Sequence, residues 1–282
     1  AGNGSLSPDG SLVTMMGNEI GGPGALRFVA NVDGTGLRSI PEGSSNPAGT
    51  WSPDGKWIAF DGASPGKPPL TDFDIQTVHV EGTRRRTLAG SPQYELDAQW
   101  SPDGKRLSYS SYVHTGEDDE WLGSRIWTVA ADGSDRVMLG LGHGARWSPD
   151  GKHLVFGAPT ETSDGDLFVM NSDGTGRRRL VASEELEAAA DWSPDGKEIL
   201  FTRFDRSGAD VMVMSADGTN VRKLTDSSGF DIAAAWSPDG STILFTGGVA
   251  AGASQLFVMD TDGSNVRDIT GGRFSGSEPS WR

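Results

Sequence analysis

One pentapeptide, Trp-Ser-Pro-Asp-Gly, returns five times along the chain, at Trp51–Gly55, Trp100–Gly104, Trp147–Gly151, Trp192–Gly196 and Trp236–Gly240. A degenerate copy, Leu6-Ser7-Pro8-Asp9-Gly10, opens the sequence, and Trp281 follows Ser280 at its end. Steps from Leu6 are 45, 49, 47, 45, 44 and 45 residues. A unit of this size cannot bury its apolar surface alone and must pack against its neighbours. A period of about 45 residues is that of a four-stranded propeller blade.

The inside of each unit supports that reading. After the Pro-Asp-Gly turn comes an apolar run, such as Trp57–Phe60, Leu154–Phe156, Ile199–Phe201 or Ile243–Phe245. A second run follows a loop of variable length, as at Ile75–Val80, Leu167–Met170 and Val211–Met214. Most of these runs are nearly unbroken by polar residues, as expected for strands covered on both faces, Ile75–Val80 with Gln76, Thr77 and His79 being the exception. An Asp-Gly pair then marks a tight turn, where glycine supplies the positive φ; the second unit has Glu81-Gly82 instead. A fourth, basic strand ends the unit, as at Arg84–Arg86 and Arg177–Arg179. Cations on an outermost strand guard it against pairing with another chain. The tryptophans share one repeat position, which predicts packing between adjacent blades rather than recognition.

The expected fold is therefore all-β, a six-bladed β-propeller of four-stranded antiparallel blades forming a single domain over residues 1–282. The first unit has a poor first strand, and Gly276–Trp281 is a first strand with nothing after it. The expectation is that this terminal segment closes the first blade, beside Ser11–Met16.

Composition narrows the function classes. The 24 Lys and Arg against 39 Asp and Glu give a net charge of −15, the wrong sign for neutralising phosphates, so nucleic acid is disfavoured as a partner. With no cysteine, disulfides and thiolate metal sites are excluded. No stretch approaches the ~18 apolar residues of a membrane span. The opening Ala1-Gly2-Asn3-Gly4 lacks a signal-peptide pattern and could follow a cleavage site.

Trp-Ser-Pro-Asp-Gly-Lys, an apolar strand, then Phe168–Gly176 (Phe-Val-Met-Asn-Ser-Asp-Gly-Thr-Gly) before a basic strand resembles the TolB-type β-propeller repeat, a WD-like family. The copies at Trp147–Leu180 and Trp236–Ile269 are the best, and the likeness covers nearly the whole chain. It implies an extracytoplasmic bacterial propeller, periplasmic or secreted, that binds a partner. The family also includes propellers attached to enzymes, so the fold does not fix the function.

Alternating strand direction puts the Pro-Asp-Gly and Asp-Gly turns at one face and the variable loops at the other. Loops free to diverge carry function. The expected site is a polar cup at the channel mouth on that variable face. Its candidate ligand-binding residues are Asp97, Gln99, Trp121, His143, Arg146, Asp191, Arg203, Asp231 and Glu278. Two longer loops, Asp61–Asp74 and Ser110–Ser124, are expected to overhang it; Tyr112 and Trp121 in the second could stack on a sugar or grip a basic peptide.

No Gly-x-Ser-x-Gly elbow appears before a helix, no α/β domain is there to hold one, and no His-x-x-x-His spacing exists, so no catalytic or metal residue is assigned. No cofactor is expected; a calcium ion in the central channel, on Asp97, Asp191, Asp231 and Glu278, is the one exception the residues suggest. The Asp-x-Asp-Gly stretch at Asp260–Gly263 lacks the later ligands of a calcium loop and reads as a hairpin turn. The leading expectation is a monomeric, non-catalytic binding module for a protein or peptide. The alternatives are a polysaccharide lyase or hydrolase using the same cup, with His143 and Arg146 as its base and cation, and an oligosaccharide-binding propeller.

Overall fold

The computed structural model describes residues 4–18, 25–40, 49–63, 73–91, 93–114, 121–160, 165–226, 229–248 and 254–271. Their regular structure is entirely β and forms six four-stranded antiparallel sheets, each made of four consecutive strands. This is the six-bladed β-propeller class that the repeat predicts. The sheets comprise Gly4–Leu6, Leu12–Asn18, Ala25–Asn31 and Arg38–Ile40; Thr50–Trp51, Trp57–Ala63, Phe73–His79 and Arg86–Ala89; Tyr94–Trp100, Arg106–His114, Trp121–Ala130 and Val137–Leu141; His143–Trp147, His153–Ala158, Asp166–Asn171 and Arg178–Arg179; Leu186–Trp192, Glu198–Asp205, Gly208–Ser215 and Arg222–Lys223; and Ile232–Trp236, Thr242–Gly248, Ser254–Asp260 and Arg267–Asp268. They are called sheets one to six below. The described residues pack as two compact units, one within Gly2–Ala145 and one within Arg146–Trp281.

The Ser-Pro-Asp-Gly turn is a closed hydrogen-bond system. In sheet two, Ser52 Oγ donates to Asp54 Oδ1 at 2.6 Å and accepts the Trp57 N–H at 2.9 Å, while the Lys56 N–H reaches the same carboxylate oxygen at 3.1 Å. Gly55 takes φ +68°, which a side chain would resist. The serine–aspartate bond recurs at Ser7, Ser101, Ser148, Ser193 and Ser237. The Asp-Gly turns are closed likewise: Thr175 N–H and Oγ1 both donate to Asp173 Oδ1, and of the Asp-Gly pair Gly174 alone is left-handed. Asp262 receives Ser264 in the same manner, so the Asp260–Gly263 stretch is a hairpin turn.

Second and third strands form the core. Gly208–Ser215 is buried over seven successive residues. Side chains from neighbouring sheets interlock: Val155, Leu167, Trp192, Ile199, Phe201 and Met214 in one unit, and Ile75, Leu88, Leu107, Tyr109 and Val129 in the other. The repeat tryptophans pack as expected, with Trp51, Trp192 and Trp236 buried. They also latch. Trp51, Trp100 and Trp192 donate their indole N–H to the backbone carbonyls of Ser5, Thr50 and Arg146, each one residue before the equivalent position of the preceding sheet.

Three expectations change in detail. Gly4–Leu6 itself pairs with Val13–Met15 at the edge of Leu12–Asn18, and closure of the first blade by the chain end is not confirmed. Two paired residues suffice for the equivalent strand Thr50–Trp51, so a weak sequence signal is no obstacle to the role. Gly276–Trp281 lies outside the described residues. Next, most of Ser110–Ser124 is strand rather than loop: the hairpin runs to His114 paired with Trp121, because Tyr112, Val113 and Trp121 suit a pleated surface. Asp61–Ala63 likewise pairs with Phe73–Ile75. Finally, the basic residues of the fourth strand also pack. The Arg177 guanidinium lies 4.9 Å and 4.5 Å from the Phe156 and Phe168 ring centres.

Candidate functional site

Antiparallel pairing puts the two turns of a sheet at one end and the second-to-third connection at the other. Bonds between the turns, such as Val32 N–H to Ser11 O and Ser172 N–H to Lys152 O, tie the first end together. Polar groups there are already engaged. Asp9 and Asp239 are held down to about 2, first by the hydroxyls of Ser7 and Ser237; Asp195 is lowered to about 2, first by Lys197 and then by Ser193. An open groove of about 610 Å³ lies at this end in the Arg146–Trp281 unit, lined by Pro149, His153, Arg178, Trp192 and Asp217 among others. Its Arg178 is spent on the carbonyls of Asp217 and Ala216. Turn geometry accounts for these groups without a ligand.

The opposite end is different. In the Gly2–Ala145 unit, Asp97 sits at a bulge in Tyr94–Trp100, where pairing slips between Ser108 and Ser110 of the next strand. Its φ is +63°, a left-handed conformation that aspartate tolerates better than most residues. Bulges re-aim side chains. The Asp97 carboxylate accepts the Tyr112 hydroxyl at 3.0 Å. The Tyr112 ring centre lies 6.5 Å from that of His143, whose Nδ1 is 3.4 Å from Ser124 Oγ. Burial lowers the His143 pKa and the Asp97 charge partly opposes this, so the imidazole is neutral at pH 7. Asp97, Tyr112 and His143 are half-buried. A carboxylate, a phenol, a neutral imidazole and a hydroxyl are thus gathered at one accessible point. Gln99 follows on the same strand, opposite Ser108. Trp121 pairs with His114 at the far end of the hairpin.

In the Arg146–Trp281 unit, Arg203 directs Nε and Nη2 to Glu187 Oε1, both at 3.2 Å, and Ser183 Oγ donates to the same oxygen. Burial raises the Glu187 pKa above the usual carboxylate range, against the pull of Ser183 and Arg203, and the Asp166 charge adds to the rise. Asp166 is itself fully buried, with Arg179 Nη2 at 2.6 Å. Asp191 accepts its neighbour's N–H, from Trp192, at 3.0 Å. Asp231 is buried. Arg146 has a buried Nη1 with no hydrogen-bond partner among the described residues. Glu278 lies outside them. Among the described residues no group of three or more His, Cys, Asp or Glu is placed to hold a metal ion.

Of the sequence candidates, Asp97 and His143 therefore share one cluster, and Arg203 is bound to a buried glutamate. Sequence reasoning missed the acid pairs. Asp74 and Glu95, Asp166 and Glu187, and Asp210 and Asp231 are each 21 residues apart, at equivalent repeat positions. Glu95 mirrors Glu187: it is fully buried, its pKa is raised by burial, and Arg136 Nη2 reaches it at 2.7 Å. The constant spacing was the available signal.

The TolB beta propeller domain model matches residues 69–210. No curated protein matches the sequence. Among solved structures, the chain resembles TolB from Acinetobacter baumannii, with 17% identity, 94% of this chain and 70% of that chain covered, and a TM-score of 0.62. It resembles oligogalacturonate lyase from Vibrio parahaemolyticus at 14% identity, covering 94% and 76%, with a TM-score of 0.69. A puromycin-hydrolyzing peptidase of Mycobacterium tuberculosis matches at 14% identity, over 95% of this chain and 46% of that one, with a TM-score of 0.66. At these identities the likeness is one of fold.

Proposed function

The chain belongs to the TolB beta propeller domain family, and from that premise we propose that it is a non-catalytic binding module, periplasmic or secreted, that holds a protein or peptide partner at the variable-loop end of its sheets. The observation that carries this reading is the cluster of Asp97, Tyr112, His143 and Ser124, polar, accessible and not consumed by turn geometry. Its chemistry suits a basic side chain of the partner: the carboxylate already takes one donor from Tyr112 and can take another from an ammonium or guanidinium. The neutral His143 does not repel such a cation. We take the six sheets as one domain acting as a monomer.

The test is partner capture from a periplasmic or secreted protein fraction by immobilised wild type and by a D97N/Y112F/H143Q variant, with identification of the retained protein. A partner lost from the variant by tenfold or more supports the reading. Equal retention removes the cluster from the interface.

One observation favours a lyase as the second reading. His143 is neutral and half-buried beside a carboxylate and a phenol, which is what a general base needs, and an oligogalacturonate lyase shares the fold. Appearance of unsaturated product from oligogalacturonate, abolished by H143A, would establish it. No turnover with or without divalent metal would dismiss it.

A further inference from the structure

The fourth strand of sheet three breaks the rule that the other five obey. Arg38, Arg86, Arg178, Arg222 and Arg267 open the fourth strands of sheets one, two, four, five and six. Three of them reach backbone carbonyls of the following sheet: Arg38 to Val80, Arg178 to Asp217, and Arg222 to Thr261. In sheet three the equivalent residue is Val137, followed by Met138 where the others have serine, threonine, arginine, lysine or aspartate. The strand Val137–Leu141 has no charge and, at five residues, is the longest of the six fourth strands among the described residues. Val137, Met138 and Leu141 are 40%, 51% and 61% exposed. The nearest arginine in sequence, Arg136, is turned onto Glu95 and the Trp127 ring and does not guard the edge.

Strand edges are normally blunted by charge because they template pairing with another chain. Among the six described fourth strands, only this one lacks the arginine guard. We propose that Val137–Leu141 is a docking edge for an extended, cationic segment of a partner protein, which adds as a fifth strand to sheet three and sets its apolar side chains against Met138 and Leu141 on one face and Val137 on the other. Main-chain hydrogen bonds supply the affinity of such augmentation, and side chains supply the choice. Charge complementarity selects the occupant. A chain of net charge −15 attracts a cationic segment and repels a second copy of itself. The arginines of the other five edges disfavour the same segment there. This edge is distinct from the Asp97 cluster: in sheet three Val137–Leu141 and Tyr94–Trp100 are the opposite outer strands.

The probe is a fluorescein-labelled peptide, acetyl-Lys-Val-Thr-Val-Thr-Val-Lys-amide, titrated with the full chain and read by anisotropy. Saturable binding is expected, weakened at least tenfold in V137R/M138K and in L141K, at least tenfold when alternate peptide nitrogens are methylated, and at least tenfold when glutamate replaces the peptide lysines. Circular dichroism checks that the variants fold, which their exposure at these sites favours. Absence of binding to wild type, equal binding to both variants, or indifference to N-methylation overturns the proposal. So does self-association of wild type that V137R/M138K abolishes, in sedimentation without peptide, because the edge would then belong to a second copy.

Discussion

At the scale of single residues, the left-handed positions separate strain from use. Asp97 and Ala189 stand at the same place, three residues before a repeat tryptophan, with φ of +63° and +54°. Gly144 fills that place in sheet four with φ +63°. All three positions take the same backbone, and only glycine adopts it freely. Ala189 is exposed and has no side-chain function to set against the strain. Ala189→Gly is therefore expected to raise stability by about 1 kcal/mol, measured by urea unfolding, since a left-handed non-glycine residue costs about 1–2 kcal/mol and glycine's extra chain entropy returns part of it. Asp97→Gly should be as stabilising at the backbone yet lose partner binding, because there the side chain meets Tyr112.

At the scale of the strand and turn, the Asp-Gly turns differ in what they touch. Gly34 and Gly218 have nearly the same φ, +85° and +89°, but a Cβ on Gly34 would meet nothing within 4 Å. A Cβ on Gly218 would lie 2.6 Å from the carbonyl oxygen of Leu180 in the preceding sheet. Gly34→Ala should cost about 1–2 kcal/mol from the backbone alone. Gly218→Ala should cost a further 1–3 kcal/mol, roughly, from the contact, and thermal melts of the two variants compare them directly. The same elements set the pH response. The turn carboxylates Asp9, Asp195 and Asp239 are lowered to about 2 in the folded chain, so their stabilisation is complete above the ordinary carboxylate range and is lost as pH falls from about 3.8 through 2. Glu95 and Glu187 shift the other way, so their contribution is fullest below 4.5 and declines as pH rises through their elevated folded values. A urea midpoint followed across pH should show both flanks, and E95Q/E187Q should flatten only the upper one. Most of these elements are legible in the sequence, because Trp-Ser-Pro-Asp-Gly and Asp-Gly specify local geometry that needs no partner. The site is legible only in outline. Asp97 and His143 are visible as polar residues beside a tryptophan, but their meeting through Tyr112 depends on a strand that reads as a loop. The pairs Asp166–Glu187 and Asp74–Glu95 join different sheets, and nothing local in either segment shows that burial awaits them.

At the scale of the molecule, the division between the two compact units falls inside one strand, His143–Trp147. Ahead of the division, Gly144 N–H donates to Ser110 Oγ and the Ala145 carbonyl accepts from Ser108. Beyond it, the Arg146 carbonyl accepts the Trp192 indole. Bonds to this strand thus continue on either side of the division. Within each unit the tryptophan latches join successive sheets, each ring donating to a carbonyl of the sheet before it. One domain is expected, and with it one unfolding event. Calorimetry of the full chain should give a single transition whose calorimetric and van't Hoff enthalpies agree. Gly218→Ala, which acts directly only where sheets four and five meet, should move that transition as a whole. Two resolved transitions, with the variant shifting one and sparing the other, would mean that the halves fold as separate domains.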